Sequence, residues 1–204
     1  MQSNEQLVNY LISSGVLRSP LLINAFEKCD RILFVPDEFY PYAYEDRPLP
    51  IGRAQTISQP YTVAIMLELL QPNVGNKILD IGSGSGWTTA LLTTAVGASG
   101  FVEGIEIVPS LVEYGKQSLQ KMGIDNASIT QGTSSVLGKP GEVYDRILVS
   151  ASAPKIPDTL FEQLKTEGRL VVPVQNSIWC LTKKEDGTVD GYELPGFQFV
   201  PLIV

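Results

Sequence analysis

The sequence has no histidine, only two cysteines and no apolar run of the length that a membrane span requires. Imidazole is the usual general base and a common metal ligand, so any catalysis here must proceed without it. Cys29 and Cys180 lie far apart and have no partner at metal-ligand spacing, which gives no disulfide framework. We therefore expect two small buried cysteine side chains and no bound metal.

Positive charge is also scarce, since 15 lysines and arginines stand against 22 aspartates and glutamates for a net charge of −7. Such a balance opposes non-specific attraction to nucleic acid. Residues 1–8 contain Glu5 and no basic residue, unlike a secretory signal, and the apolar stretches fall short of the roughly 20 residues that span a bilayer. We expect a cytoplasmic protein without nucleic-acid or membrane partners.

The chain also lacks repeats and Gly/Ser-rich linkers, and 204 residues suit a single domain. Helical spacing of apolar residues predicts two short helices within residues 4–29 and another over residues 61–70. Five prolines fall within residues 34–60, a density that excludes a continuous helix or a central strand. This segment is predicted to be an ordered loop or a lid.

From residue 77 onward, apolar strands alternate with helical segments. The predicted strands cover residues 77–81, 101–105, 127–130, 146–150 and 169–174, and the predicted helices cover residues 88–96, 109–122 and 157–164. This alternation favours a parallel sheet with helices on both faces. Asp186-Gly187 is a hairpin turn signal, from which we predict two late antiparallel strands, residues 178–183 and 197–204.

The strongest chemical signal is Ile78-Leu79-Asp80-Ile81-Gly82-Ser83-Gly84-Ser85-Gly86-Trp87, where an apolar strand ends in a glycine turn that opens a helix. Glycines let the backbone turn tightly and approach a ligand closely. A dinucleotide fingerprint would need glycine in place of Trp87, and the lysine of a P-loop is absent. Glu106 stands at the end of the next strand, where a carboxylate can accept hydrogen bonds from ribose hydroxyls.

Each of these two features has an ordinary structural interpretation by itself, as a glycine turn without a ligand and as a solvated strand end. Their joint occurrence at this spacing favours a cofactor site. The loop, preceded by Asp80, resembles the first motif of the class I methyltransferases, in which it lies against the amino-acid part and the ribose of S-adenosylmethionine.

A second motif, Leu49-Pro50-Ile51-Gly52-Arg53-Ala54-Gln55-Thr56-Ile57-Ser58-Gln59-Pro60, resembles the signature of the protein L-isoaspartyl (D-aspartyl) O-methyltransferases. The similarity covers nearly the whole chain and includes Phe34-Val35-Pro36, residues 150–157, residues 168–174 and Phe199-Val200-Pro201-Leu202. By this resemblance the chain is identified as a member of that family.

The resemblance implies an α/β fold with a doubly wound, mostly parallel, Rossmann-like sheet, N-terminal helical additions and a C-terminal antiparallel hairpin. It implies one methyltransferase domain over residues 1–204, with a helical cap and proline-rich substrate loop in residues 1–60 and the cofactor-binding core in residues 61–204. The implied reaction is a step of protein repair. It moves a methyl group from S-adenosylmethionine to the free carboxylate of L-isoaspartyl residues in damaged proteins and leaves S-adenosylhomocysteine.

The same resemblance assigns the site residues. Ser58 becomes the active-site serine, although hydroxyls in a proline-rich loop often only satisfy nearby backbone groups. The implied substrate-binding residues are Gln55, Thr56, Ile57, Gln59 and Pro60. The implied cofactor-binding residues are Asp80, Gly82, Ser83, Gly84, Ser85, Gly86, Glu106, Ile107, Gly132 and Thr133. The lack of histidine agrees with this chemistry, because a substrate carboxylate with a pKa near ~4 is ionised at neutral pH and needs no general base.

Several positions depart from the family pattern. Arg53-Ala54 stands where His-Gly is common. Gly132-Thr133-Ser134 stands where Gly-Asp-Gly is common, so Thr133 offers the adenine a hydrogen bond without a charge and we expect a lower adenine affinity. Gln175, Trp179 and Gln198 replace a glycine, a glutamine and a frequent arginine near the peptide-binding side. We expect these changes to bear on the exact substrate more than on the fold.

Four alternatives stay open at the level of sequence. A serine hydrolase is disfavoured, because residues 82–86 are not G-x-S-x-G and no histidine could activate a serine. A nicotinamide dehydrogenase shares the strand, the glycine turn and the acid, and differs in glycine spacing. The other two are a cofactor-binding module without turnover and a divergent enzyme that methylates an aspartate of one dedicated peptide.

Overall fold

A seven-stranded sheet and a separate two-stranded hairpin form the β-structure of this computed structural model, which describes residues 1–202. The hairpin consists of β1 Leu49–Gly52 and β2 Gln55–Ile57. The strands of the large sheet are β3 Lys77–Ile81, β4 Phe101–Glu106, β5 Ala127–Gln131, β6 Tyr144–Val149, β7 Leu164–Val174, β8 Ser177–Lys183 and β9 Val189–Pro195. They lie in the order β5-β4-β3-β6-β7-β8-β9. The first five run parallel, and β8 and β9 are antiparallel to their neighbours.

Within residues 1–202 the α-helices are α1 Asn4–Ser13, α2 Pro20–Lys28, α3 Pro60–Leu70, α4 Trp87–Val96, α5 Pro109–Lys121 and α6 Thr159–Glu162. Proline opens α2, α3 and α5, where its missing N–H is harmless because amides of the first turn have no helical partner. Ser3 caps α1 by accepting a hydrogen bond from the amide of Gln6 at 3.3 Å.

The two faces of the large sheet bury two different hydrophobic clusters. Ile78 and Leu148 pack with the buried sides of α1–α5, whereas their strand neighbours Leu79 and Ile147 belong to the second cluster on the opposite face. That second face is covered by connecting segments and by α6, which contributes Leu160. The predicted doubly wound, mostly parallel sheet is confirmed, and its helical cover is concentrated on one face.

The proline-rich segment is ordered and contains short elements of its own. Two 3-10 helices, Arg31–Phe34 and Asp37–Tyr42, precede the antiparallel β1–β2 hairpin. Arg53 and Ala54 form the tip of this hairpin, both in the left-handed region with φ of 53° and 57°. The hairpin was not predicted, since strands of four and three residues are too short to show an alternating pattern.

The predicted C-terminal hairpin exists, but its second strand is β9, and the prediction of a strand over residues 197–204 is wrong. Asp186 closes the turn by accepting a hydrogen bond from the amide of Thr188 at 2.9 Å, so the chain resumes pairing at once, with Val189 opposite Lys183. Because β9 is almost entirely exposed, it has no alternating apolar pattern that could have revealed it.

Residues 197–202 return instead to the carboxyl edge of the parallel strands. The amide of Ser152 donates to the carbonyl of Val200, and the amide of Leu202 donates to the carbonyl of Ser152, both at 2.8 Å. The last two positions of the wrongly predicted strand lie outside the described residues. This return places the C-terminal segment beside the end of β6.

The predicted helix over residues 157–164 is reduced to the single turn of α6. Leu164 pairs with Tyr144 of β6, and the amide of Tyr144 donates to the carbonyl of Gln163 at 2.8 Å. These sheet hydrogen bonds end the helix early and start β7 at Leu164, five positions before the predicted start at Arg169.

Strand β3 lies between β4 and β6, so the chain leaves its two sides in opposite directions. In open parallel sheets such a switch point creates a crevice above the carboxyl ends of the strands, where ligands bind. Among residues 1–202, no helix is long and apolar enough to cross a bilayer, and no group of three or more His, Cys, Asp or Glu side chains could hold a metal ion.

Candidate active site

Three adjoining cavities open above the carboxyl ends of β3, β4 and β6. The cavity lined by the most residues, called the large cavity below, extends from the glycine loop to residues 132–138 and encloses about 690 Å³, against about 740 Å³ for the more open outer cavity. The outer cavity lies against residues 198–200, and the inner cavity lies between the glycine loop and Ser58. Thr56 and Ser150 line all three, which makes them one continuous cleft of the size that small-molecule sites have.

The glycine loop, residues 82–86, turns the chain from β3 into α4. Gly84 and Gly86 have φ of 52° and 84°, a region that other residues adopt only with strain. A Cβ at Gly86 would lie 3.1 Å from the carbonyl oxygen of Gly115, because α5 packs directly on the loop. From the hairpin side, Ile51 Cδ1 lies 3.2 Å from the position of a Cβ at Gly84. The loop is therefore enclosed on two sides and open only toward the cleft.

Asp80 is the last but one residue of β3, lies beneath this loop and is fully buried. Its carboxylate accepts hydrogen bonds from Thr88 Oγ1 at 2.8 Å, Thr89 Oγ1 at 2.7 Å and Ser150 Oγ at 3.5 Å. Burial raises the pKa of Asp80 to about 6, although these three hydrogen bonds oppose the shift. The side chain joins the start of α4 to the end of β6, and a direct contact of Asp80 with a cofactor stays a prediction.

Glu106 ends β4 and lines the large cavity. Its Oε2 accepts the amide of Gly84, and its Oε1 accepts the amide of Val108, both at 2.9 Å. A carboxylate oxygen has two acceptor positions, so each oxygen keeps one for a ligand hydroxyl. The carboxylate of Glu106 can therefore still accept the predicted hydrogen bonds from ribose hydroxyls. The same carboxylate also holds the glycine loop in place.

Ser83 and Ser85 line the inner cavity on the side of the loop that faces Ser58. The hydroxyl of Ser83 is buried and, among residues 1–202, has no hydrogen-bond partner. A buried hydroxyl left unpaired costs about 1–3 kcal/mol, which a polar ligand group can offset. This orphaned hydroxyl, the glycine turn and the free acceptor positions of Glu106 together fit the amino-acid part and ribose of S-adenosylmethionine.

Gly82, Ile107, Gly132 and Thr133 line the large cavity, and their contact with a cofactor stays a prediction. The amide of Gly132 donates to the carbonyl of Glu106 at 2.9 Å, which ties the end of β5 to the end of β4. Thr133 is exposed at the cavity edge. Its hydroxyl is available to an adenine edge but brings no charge.

Ser58 and four of the five predicted substrate residues line the cleft. Gln55 and Thr56 line the large cavity, and Ser58 and Gln59 line the outer one. Ile57 is buried and lines the inner cavity, whereas Pro60 opens α3 and lines none of the three cavities.

Asp46 fixes the backbone of the serine segment, residues 58–60, where it enters α3. It accepts hydrogen bonds from Gln59 Nε2 at 3.1 Å and from the amide of Tyr61 at 2.9 Å. The second bond satisfies an amide of the first helical turn, which has no partner within the helix.

The positions that depart from the family pattern lie in different environments. Gln198 lines the outer cavity together with Ser58. Trp179 packs against the second hydrophobic cluster, and Gln175 forms the turn between β7 and β8 with φ of 55°. Arg53 lies at the exposed hairpin tip. Of the three positions expected on the peptide side, Gln198 is the one that the structure places in the cleft with Ser58.

Ser150 and Arg31 are among the residues of the site that the sequence analysis missed. Ser150 follows β6 and lines all three cavities, and the rule that sites lie at strand carboxyl ends could have found it. Arg31 is fully buried beneath the serine segment and donates to the carbonyl of Ser58 at 3.0 Å. Its only sequence signal is an arginine next to the apolar Ile32-Leu33-Phe34.

The fold and the cleft define a class. A mostly parallel sheet with a glycine turn at its switch point, an acid at the next strand end and neutral hydroxyls across the cleft is the arrangement of a class I S-adenosylmethionine-dependent methyltransferase. A nicotinamide enzyme would need a different glycine spacing, and a serine hydrolase would need a base beside its serine.

Comparison with known proteins identifies the family. The family model described as Protein-L-isoaspartate(D-aspartate) O-methyltransferase matches residues 2–204. The protein-L-isoaspartate O-methyltransferase of Methanopyrus kandleri is 42% identical over 207 residues, which cover 99% of this chain and 92% of that protein. That of Pyrococcus horikoshii is 42% identical over 204 residues, which cover 98% of this chain and 92% of that protein. The chain belongs to the protein-L-isoaspartate (D-aspartate) O-methyltransferase family.

A solved structure agrees with this assignment. A Plasmodium falciparum structure named for protein-L-isoaspartate O-methyltransferase activity superposes with a TM-score of 0.85 at 25% identity and covers 98% of both chains. That crystal structure holds S-adenosyl-L-homocysteine. The predicted class I methyltransferase fold is thus confirmed over nearly the whole length.

Proposed function

We propose that this chain is a protein carboxyl O-methyltransferase that moves the methyl group of S-adenosylmethionine to the free carboxylate of L-isoaspartyl residues in damaged proteins. The observation that carries the proposal is the position of Ser58. It lines the outer cavity and also the inner cavity, whose opposite wall is the glycine loop. A peptide in the outer cavity and a cofactor on the glycine loop would therefore meet at this residue.

S-adenosylmethionine, when bound, supplies an electrophilic methyl group on a sulfonium. The acceptor positions of Glu106 are suited to its ribose hydroxyls, the orphaned Ser83 hydroxyl to its amino-acid part, and Ile107 and Thr133 to its adenine. Asp80 stays beneath the loop and holds the start of α4.

The protein's part in the reaction is alignment. A substrate carboxylate with a pKa near ~4 is already ionised at neutral pH, so no side chain has to remove a proton. Ser58 donates a hydrogen bond that orients one carboxylate oxygen, and no covalent serine intermediate is needed. Excluding water from the cleft strengthens the attraction between the carboxylate and the sulfonium, and we assign that task to residues 34–60 acting as a lid.

The preference for isoaspartate follows from geometry. In an isoaspartyl residue the free carboxylate is the α-carboxylate, which is displaced by one methylene from the side-chain carboxylate of an ordinary aspartate. A cleft that holds its hydrogen-bond donors rigidly penalises such a displacement. We also propose one domain over residues 1–204, a cytoplasmic location and no nucleic-acid, membrane or metal partner, on the basis of the composition and the net charge of −7.

The test compares the parent with Ser58→Ala on matched isoaspartyl and aspartyl peptides with a radiolabelled methyl donor. We expect the parent to methylate the isoaspartyl peptide preferentially. Loss of one hydrogen bond to a charged acceptor should raise the activation free energy that corresponds to kcat/KM by about 0.5–3 kcal/mol. The affinity for the cofactor should be nearly unchanged. Ser13→Ala on the exposed side of α1 is the matched control and should behave like the parent.

The outcomes separate the alternatives. Equal methylation of both peptides by the parent would contradict the repair assignment. Methylation of neither peptide, with intact binding of S-adenosylhomocysteine, would favour a binding module or an enzyme for one dedicated peptide. Complete loss of activity in Ser58→Ala would point to a covalent role that the proposal denies.

A further inference from the structure

Arg31 is a buried cation without a buried anion beside it. Its side chain is fully buried, yet among residues 1–202 it forms no salt bridge. The carboxylate of Asp46 is near enough to raise the pKa of Arg31, but the hydrogen bonds that it accepts come from the Tyr10 hydroxyl, Gln59 Nε2 and the amide of Tyr61. Burial lowers the pKa of Arg31 to about 9, so the guanidinium is still charged at neutral pH.

Four backbone carbonyls take the place of an anion. Arg31 Nη1 donates to Ala43 at 2.7 Å and to Glu45 at 3.2 Å, and Nη2 donates to Arg47 at 3.0 Å and to Ser58 at 3.0 Å. Three of these carbonyls alternate along one short stretch of the proline-rich segment, and the fourth belongs to the serine itself. The two nitrogens thus connect the middle of that segment to its end, across the β1–β2 hairpin.

The same guanidinium also contacts the cofactor side of the cleft. Arg31 Cζ lies 5.3 Å from the centre of the Trp87 ring, and Trp87 is the first residue of α4, directly after the glycine loop. Trp87 Nε1 in turn donates to the carbonyl of Cys29 at 3.2 Å. A stacked guanidinium on an aromatic face is a favourable cation–π contact. Arg31 therefore lies between the segment that carries Ser58 and the helix that begins at the glycine loop.

Stability alone is a weak reason for such a residue. Burying a charge costs several kcal/mol, and Arg31 Nε has no hydrogen-bond partner among residues 1–202, which adds to that cost. An apolar side chain of similar volume would fill the space at a lower free-energy cost of burial, but it could not bind carbonyl oxygens from two parts of the chain. The planar guanidinium, with donors in fixed directions, is the side chain that can.

We propose that Arg31 is a positioning residue for methyl transfer, whose guanidinium holds the Ser58 backbone at a fixed place relative to the glycine loop. The inference rests on the role proposed for Ser58 above. It extends that role, because no strand of the large sheet holds the serine segment, and Arg31 is the side chain that binds the Ser58 carbonyl, while Asp46 binds the chain after it.

Arg31→Lys tests the geometry while it keeps the charge, since an ammonium has three donors on a single nitrogen and cannot reproduce the planar pattern. We expect kcat for the isoaspartyl peptide at saturating cofactor to fall about 10- to 100-fold, the effect of a small misplacement of a reacting group. Affinity for S-adenosylhomocysteine should be nearly unchanged. Arg169→Lys is the matched control, because Arg169 Nη1 also donates to a backbone carbonyl, that of Leu69 at 2.7 Å, away from the cleft. It should keep the parent's kcat.

A double-mutant cycle separates positioning from general destabilisation. If Arg31 acts through Ser58, adding Arg31→Lys to Ser58→Ala should lower kcat/KM much less than it does in the parent. Equal effects in both backgrounds would overturn the inference and leave the proposed function intact. A parent that methylates neither peptide would instead contradict the proposed function.

A measurement on the parent keeps the inference testable if Arg31→Lys does not fold. In arginine labelled with ¹⁵N, the Arg31 guanidinium can be assigned through its contact with the Trp87 ring. Four hydrogen bonds to fixed carbonyls should prevent rotation about its Cζ–Nη bonds and give separate signals for the Nη protons. Averaged signals from free rotation would contradict a positioning role.

Discussion

Two acidic side chains at the ends of neighbouring strands have different surroundings and different tasks. Asp80 is enclosed and receives hydrogen bonds from three hydroxyls, so its carboxylate belongs to the interior. Glu106 accepts hydrogen bonds from two backbone amides and also lines the large cavity. Asp80 supports the glycine loop from the interior of the protein. Glu106 holds the same loop from the side of the cleft on which a cofactor would lie.

Glu106→Ala should weaken the binding of S-adenosylhomocysteine. The change removes one or two charge-assisted hydrogen bonds to ribose, each worth about 1.5–3 kcal/mol, and it also frees the amide of Gly84. Glu106→Gln keeps the shape and one acceptor oxygen and should lose less. Isothermal calorimetry of the three proteins measures this, and equal affinity in parent and alanine variant would remove Glu106 from the cofactor site.

Asp80→Asn should change how stability depends on pH. The folded pKa of about 6 lies above the ordinary 3.8, so the contribution of Asp80 is present below pH 3.8 and is lost as pH rises through 6. This loss amounts to about 3 kcal/mol at 1.36 kcal/mol per pKa unit. The free energy of unfolding of Asp80→Asn should therefore rise relative to the parent between acid and neutral pH. Urea unfolding across that range checks it, and parallel curves would show that Asp80 titrates normally.

Among the elements of the fold, the β1–β2 hairpin has the most direct influence on the cleft. Its strand β1 brings Ile51 onto the glycine loop, and its strand β2 leads into Ser58. Its tip is strained, because Arg53 and Ala54 occupy the left-handed region without being glycine. The hairpin is held at its base by Arg31 and at its side by the loop, and its tip is exposed.

Ala54→Gly should stabilise the protein. A left-handed backbone conformation costs an L-residue roughly 1–2 kcal/mol, and glycine removes that cost. The extra flexibility of glycine in the unfolded chain offsets about 0.5–1 kcal/mol of this stabilisation. We expect a net increase of roughly 0.5–1 kcal/mol, measured by urea unfolding. Ala98→Gly, in a turn where φ is not positive, is the control and should lose stability. An Ala54→Gly variant no more stable than the parent would show that the tip is not strained in solution.

At the scale of the whole molecule, a bound cofactor should connect parts of the chain that are far apart in sequence. The large cavity is lined by the hairpin, by the ends of β3, β4 and β6, and by residues 200–202 near the C-terminus. A ligand in this cavity contacts all of them at once. Binding should therefore raise the stability of the entire fold and not of the glycine loop alone.

Thermal unfolding with different ligands checks this. S-adenosylhomocysteine at roughly 100 times its dissociation constant should add about 2.7 kcal/mol to the free energy of unfolding and raise Tm by several degrees. NAD at the same concentration should leave Tm unchanged, since the glycine spacing does not suit a dinucleotide. A larger shift with NAD than with S-adenosylhomocysteine would contradict the methyltransferase assignment.

The sequence by itself determined the features that depend on neighbouring residues. The alternation of strands and helices, the glycine spacing after Asp80 and the acid at Glu106 are each local in the chain, so periodicity and spacing reveal them. The motif around Ser58 is also local, but it was found through its resemblance to a family signature. Prediction from the sequence failed for β9, because its exposed residues have no apolar pattern. It also failed for the first residue of β7, because pairing with β6 decides where that strand begins.

Only the tertiary structure decided which distant residues share the cleft. Ser58, Ser150 and Gln198 come from three separate parts of the chain and line one cavity, while Trp179 is partly buried against the second hydrophobic cluster. The burial of Arg31 and its bonds to carbonyls up to 27 positions away likewise follow from packing. Tertiary packing brings segments distant in sequence together, and this determines hydrogen-bond partners, burial and cavity shape. A local sequence pattern does not contain that information, because the energy of each contact depends on residues elsewhere in the chain.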